Sequence, residues 1–183
     1  MANTVVFYKS KYGSTMKYAE WIAAELKADI FKASKISTKR LKTYSTLIFG
    51  GGMYMNKIIG IKALVKKYPV IEGKKIIIFS CGLTDPAVEE NRKRIFEGLR
   101  GQVPGEMLEK VKVFHLHGGI NYSKLSRYHH FMMTMLEKML KGKREEDLSN
   151  EEKNMMETLG KDYDFVERDA IKPIVEYALN NKE

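Results

Sequence analysis

The sequence predicts an α/β domain built on a parallel sheet with helices on both faces. Two observations carry the prediction. Short apolar runs bounded by glycine or turn residues alternate with longer segments of helical period. The runs are also continuously apolar, as strands covered on both faces must be. A third observation concerns position: glycine- and hydroxyl-rich stretches directly follow the apolar runs that end near Tyr8, Gly50 and Ser80.

Strands are predicted at Thr4–Tyr8, Asp29–Lys32, Thr46–Gly50, Lys75–Ser80 and Val111–Leu116. The first connecting helix starts near Ser14, because Met16, Ala19, Ile22, Ala23 and Leu26 recur at three- and four-residue intervals, with Trp21 at the edge of the stripe. A second helix is predicted from Ile59 to Tyr68, closed by Pro69. A third follows Asp85-Pro86, with Asp85 as N-cap and Pro86 in the first helical position. The last spans Phe165 to Asn180 and turns Val166, Ala170, Ile174, Tyr177 and Ala178 inward, with a kink or break at Pro173.

A helical insertion at about 118–162 does not fit a minimal five-strand arrangement. In it Leu125, Tyr128, Met132, Met135 or Leu136, and Met139 share one helix face. The charged stretch Lys141–Asp147 follows, and Ser149-Asn150-Glu151-Glu152 reads as the start of another short helix. No repeat, low-complexity tract or linker interrupts the chain, so residues 1–183 are expected to form a single domain.

Composition narrows the setting. Cys81 is the only cysteine, which rules out an intrachain disulfide and a thiolate cluster from one chain and favours a reducing compartment. Met1 to Thr4 lead straight into an apolar strand, and no uncharged apolar run approaches the roughly 18 residues of a membrane span. A cytoplasmic protein is expected, with association at a membrane surface left open. The net charge of +9 is uneven: residues 1–75 carry 15 basic and 4 acidic side chains, residues 76–183 carry 17 and 19. A cationic amino-terminal half suits nucleic acid, an anionic membrane surface, or an acidic substrate or redox partner; lysines such as Lys39, Lys42, Lys66 and Lys67 serve equally well as solvated surface.

The chemistry is expected where strands end. A strand feeding a helix through a hydroxyl- and glycine-rich turn aims backbone N–H groups and the positive end of the helix dipole at an anion. Tyr8-Lys9-Ser10-Lys11-Tyr12-Gly13-Ser14-Thr15 has that form: Ser10, Ser14 and Thr15 offer hydroxyls, and Gly13 allows a close turn. It matches neither the dinucleotide fingerprint nor the Walker loop. Two further stretches, Gly50-Gly51-Gly52-Met53-Tyr54-Met55-Asn56 and Ser80-Cys81-Gly82-Leu83-Thr84, converge with it if the strands are ordered 2-1-3-4-5. Together they suit a flat ring with polar edges, with Met53, Tyr54 and Met55 to cover a face.

Ser10-x-Tyr12-Gly13-Ser14-Thr15 resembles the flavodoxin phosphate loop, Ser/Thr-x-Thr-Gly-x-Thr, with tyrosine at its middle threonine. Within that superfamily the chain is most similar to menaquinone-dependent protoporphyrinogen oxidases and their flavodoxin-domain relatives. The similarity lies in Gly50 to Tyr54, in Gly118-Gly119-Ile120-Asn121-Tyr122, in Arg127-Tyr128, and in the methionine-rich helix Phe131 to Leu140. The resemblance implies a flavodoxin-like three-layer sandwich with an extra helical segment after the fifth strand, and FMN as cofactor. It places the FMN phosphate on the loop of Ser10, Lys11, Tyr12, Gly13, Ser14 and Thr15, and the ring between Gly51, Gly52, Met53, Tyr54 and Met55 and Ser80, Cys81, Gly82, Leu83 and Thr84. It further implies an oxidoreductase of heme biosynthesis that takes hydride from protoporphyrinogen IX and passes electrons to a quinone; a flavodoxin-type electron carrier is the alternative. Lys57, Lys124 and Arg127 are the basic candidates for substrate carboxylates.

The expected partners are a redox protein or quinone and a tetrapyrrole substrate, with a membrane surface and a second copy of the chain as further candidates, and no nucleic acid. No metal is expected. His115 and His117 share a strand face and His129-His130 follow, but no third ligand has a suitable spacing. Cys81 is read as a small loop residue, and the methionine face as core or an oligomer contact, with a membrane, a quinone or a partner helix as the other readings.

Overall fold

Alternate side chains of a strand point to opposite faces, so continuously apolar strands need two separate cores. The computed structural model, which describes residues 3–54, 56–148, 152–153, 156 and 159–180, has both. Strands β1 (Thr4–Lys9), β2 (Asp29–Lys32), β3 (Thr46–Tyr54), β5 (Lys75–Gly82) and β6 (Val111–His117) pair in parallel in the order β2-β1-β3-β5-β6. This is the predicted order 2-1-3-4-5, and a short β4 (Lys57–Ile58) adds an antiparallel hairpin to β3.

On one face Val5, Phe7, Leu47, Phe49, Ile76 and Ile78 pack with Leu41, Ile61, Leu64, Ile71, Leu99 and Met107. These come from α2 (Thr38–Leu41), α3 (Ile61–Ile71), α4 (Glu89–Arg100) and α5 (Gly105–Lys110). On the other face Val6, Ile48, Ile77, Phe79 and Leu116 pack with Tyr18, Ala19, Ile22, Ala23, Ile174 and Ala178 from α1 (Ser14–Glu25) and the carboxyl-terminal helix. The result is a three-layer sandwich.

Several predicted boundaries shift. Pro69 lies inside α3, which runs on to Ile71, because fully buried Ile71 holds the last turn despite the missing N–H of proline. The third helix begins at Glu89, not at Pro86: Asp85 Oδ1 accepts the Ala87 N–H at 2.8 Å, closing a separate turn ahead of the helix. The last segment is a 3-10 turn (Arg168–Ile171) followed by the carboxyl-terminal helix (Lys172–Leu179), and Pro173 sits in the first turn of that helix, where no N–H is required and no kink forms. Met16 and Tyr177, expected inward, are exposed, whereas Tyr18 is fully buried.

The described residues divide into two units. The first runs from the amino terminus to Gly118 and resumes at Phe165. The second, Gly119–Asp164, is closed by β7 (Gly119–Ile120) pairing antiparallel with β8 (Tyr163–Asp164). It holds α6 (Arg127–Lys141), with Ser126 Oγ accepting the His129 N–H as N-cap; the carboxyl-terminal helix is α7. The buried stripe of α6 passes through His129 and Leu140, with Met132, Met133 and Leu136 partly covered. Tyr128, Met135 and Met139, expected on the covered face, are exposed. Apolar residues cover more than half the circumference of this helix, so periodicity alone does not choose the buried half. Ser149, Asn150 and Glu151 of the predicted start signal lie outside the described residues. Among the described residues no helix is long and apolar enough to cross a membrane.

Within the first unit, Tyr18 joins the points where the chain leaves and returns. Its hydroxyl donates to the His117 carbonyl at 2.7 Å and accepts the Glu167 N–H at 3.2 Å. Phe165 N–H reaches the Gly118 carbonyl at 3.2 Å. Removing the hydroxyl leaves this part-buried donor and acceptor without their shared partner. Tyr18→Phe is expected to cost about 0.5–1.5 kcal/mol, read as a lowered urea midpoint with an unchanged slope.

Candidate functional site

The three glycine- and hydroxyl-rich stretches meet at the carboxyl edge of the parallel sheet, at the switch between β1 and β3. The first leads from β1 into α1. Gly13 caps the helix with φ 107°, a conformation that side chains resist, and nothing lies within 4 Å of where a Cβ would project. Ser10 Oγ accepts the Gly13 N–H at 3.1 Å, closing the turn on itself ahead of the helix. Ser10, Tyr12 and Ser14 are partly exposed, Lys11 is exposed, and Thr15 is buried. The first-turn N–H groups of any helix lack intrahelical acceptors, so this end of α1 presents donors, hydroxyls and a positive dipole end together.

The second stretch is strand, not loop. β3 continues through Gly51, Gly52, Met53 and Tyr54, because Gly51 and Gly52 pair with Ser80 and Cys81 of β5 while Met53 and Tyr54 pair back onto Ile58 and Lys57. The turn of that hairpin includes Asn56 with φ 57°; Met55 lies outside the described residues. A Cβ placed on Gly52 would lie 3.4 Å from Thr15 Oγ1, which shows how closely the first two stretches adjoin.

In the third stretch Ser80, Cys81 and Gly82 belong to β5, with Ser80 and Cys81 buried on opposite faces of the sheet; Gly82 and Thr84 are half-buried and Leu83 between them is exposed. Met53 lies against Gly82, where an added Cβ would come within 2.7 Å of the Met53 Cβ. The end of β6 joins here, a contribution missed in the strand-by-strand sequence reading. The Gly118 N–H donates to the Gly82 carbonyl at 2.6 Å, and His117 Nε2 lies 2.9 Å from the Leu83 carbonyl. His117 also stacks on Phe165, with ring centroids 4.2 Å apart. The signal was present: Gly118-Gly119 follows an apolar run just as the other glycines do.

A family model described as a flavodoxin domain matches residues 5–147. The chain belongs to the flavodoxin-domain family. No curated protein matches it. Similar solved structures include a flavodoxin from the domain Archaea, at 17% identity and TM-score 0.43, over 66% of this chain and 87% of that one. A putative flavoprotein from Bacteroides eggerthii is similar at 11% identity and TM-score 0.44, over 73% and 95% of the two chains. A flavoprotein from Lactobacillus acidophilus, solved in complex with FMN, is similar at 15% identity and TM-score 0.43, over 64% and 93%.

Beneath the third stretch of this flavodoxin domain lies a polar pair that the sequence reading treated separately. Ser80 Oγ and His115 Nδ1 are 2.7 Å apart on paired strands, on the face of α3 and α4. Burial, and to a smaller degree the Arg92 charge, lowers the His115 pKa from 6.5 to about 4. Among the described residues no three His, Cys, Asp or Glu side chains are grouped to hold a metal.

The folded protein therefore binds fewer protons at His115 than the unfolded chain between pH 4 and 6.5. The stability gained by keeping this imidazole neutral is fully present above pH 6.5 and is lost as the pH falls towards 4. A series of urea midpoints across that range is expected to decline in the native protein and to decline less in His115→Gln.

Proposed function

We propose that this chain binds FMN and acts as an oxidoreductase that oxidises a tetrapyrrole, protoporphyrinogen IX, and delivers the electrons to a quinone. The observation that carries the cofactor is the turn at Gly13, which opens the head of α1 to solvent next to Ser10, Ser14 and Thr15, with Thr15 adjoining Gly52. In this reading Ser10, Ser14 and Thr15 hold a phosphate through hydroxyls and the N–H groups of the first turn of α1, while Gly13, whose own N–H is held by Ser10 Oγ, gives the turn its close bend. The backbone of Gly51–Tyr54 and of Gly82–Thr84 meets the ring edge, and Tyr54 and the exposed Leu83 supply apolar cover. FMN, when bound, supplies a hydride acceptor that later releases electrons singly or in pairs.

The tetrapyrrole and the quinone rest on the resemblance in the blocks around Gly50–Tyr54, Gly118–Tyr122 and Phe131–Leu140. Lys57, exposed opposite Tyr54 in the β3–β4 hairpin, is the basic side chain this site offers a substrate carboxylate. The excess of basic side chains in residues 1–75 also sets the chain apart from an electron carrier that meets basic partners.

Purified protein is expected to be yellow and to release one FMN per chain on denaturation. Mixed without oxygen with protoporphyrinogen and a menaquinone analogue, it is expected to form protoporphyrin over many turnovers. Bound FMN without turnover contradicts the oxidase and leaves the electron carrier; a colourless protein that takes up no FMN contradicts both.

A further inference from the structure

Four large apolar side chains stand in a row on the outward face of α6: Tyr128, Phe131, Met135 and Met139 are 63%, 60%, 54% and 56% exposed. Their spacing of three and four residues keeps them on one stripe. A basic row runs beside it, formed by Arg127 and Lys138, both exposed, with exposed Lys124 one turn earlier. No acidic residue occurs between Ser126 and Leu136, and Glu137 is engaged by Lys141 at 2.7 Å. Residues 124–144 carry six basic side chains against one acidic. Among the described residues Lys124, Arg127 and Lys138 make no ion pair, whereas Lys143 and Arg144 are paired with Glu152, Glu146 and Asp147.

We propose that this face of α6 docks on an anionic lipid bilayer, lying in the plane of its surface. At 15 residues the helix is too short to span the hydrocarbon, and a wide apolar stripe edged by lysine and arginine is the pattern of an interfacial helix. The apolar row enters the acyl boundary while Arg127 and Lys138 keep their charged ends at the headgroups. A shallow groove of about 570 Å³ opens beside Phe131, with Arg127, Ser123 and Thr134 on its walls, and offers polar partners to a headgroup phosphate.

Charge and area both favour lipid over a second copy of the chain. Four half-exposed side chains bury on the order of 400 Å² per partner, against about 800 Å² per partner in a stable interface. A two-fold dimer through this face also sets Arg127 and Lys138 against their own copies, whereas anionic headgroups neutralise them. Docking does not depend on the flavin, so its failure is separate from failure of the proposed activity.

The test is flotation of the full chain with vesicles of phosphatidylcholine containing 30% phosphatidylglycerol, and with phosphatidylcholine alone. The protein is expected to float with the anionic vesicles and to leave them at high salt. Phe131→Ser with Met135→Ser is expected to weaken partitioning at least tenfold. Arg127→Glu with Lys138→Glu loses about fivefold or more for each charge removed. Both pairs lie on the surface, and unchanged circular dichroism confirms that they fold. No flotation of the native protein, or native-like flotation of both double variants, overturns the proposal. A dimer in sedimentation that the serine variant converts to monomer, with no vesicle binding, also overturns it and assigns the face to self-association.

Discussion

The positive φ of Gly13 is the constraint on which the site depends. It turns the chain sharply from the end of β1 into α1, and the helix begins with no side-chain cap on its first turn. A residue with a Cβ strains this turn and projects into the open space beside it. The remaining apparatus is arranged around that turn: Thr15 is buried just past it, and Gly52 comes up beside Thr15 because β3 extends four residues beyond Gly50.

Holding such a turn open requires a rigid support, and the two-sided core provides it. The strands behind the turn are buried on both faces, and Tyr18, in the second turn of α1, fixes the helix to the ends of β6 and of the returning chain. A separate hydrogen bond, from the Gly118 N–H to the Gly82 carbonyl, holds the end of the first segment of this unit at the third stretch. The neutral His115 held by Ser80 belongs to this support as well; a charged imidazole there would face the cost of burial and the nearby Arg92.

Much of this was legible in the sequence. The five main strands, their order, α1, and the three convergent stretches follow from continuous apolar runs and the glycines after them. The strand ends did not, because Gly51 and Gly52 are poor strand formers whose extended conformation is imposed by pairing with Ser80 and Cys81 of β5. Proline signals misled for a related reason: Pro69 is carried by the burial of Ile71, and Pro173 marks a helix start where a kink was expected. Helix α6 was legible as a helix but not in its orientation, since Tyr128, Phe131, Met135 and Met139 are as apolar as the stripe that is covered. Their exposure is a tertiary fact, and it is what makes the face available to a bilayer.

The central claim is that the turn at Gly13 grips a phosphate. Calorimetric titration of flavin-free protein with FMN and with riboflavin, which lacks the phosphate, tests it most directly. A phosphate held at this turn makes FMN bind at least a hundredfold more tightly; equal affinity for the two flavins, or no binding of either, shows that the turn holds no phosphate.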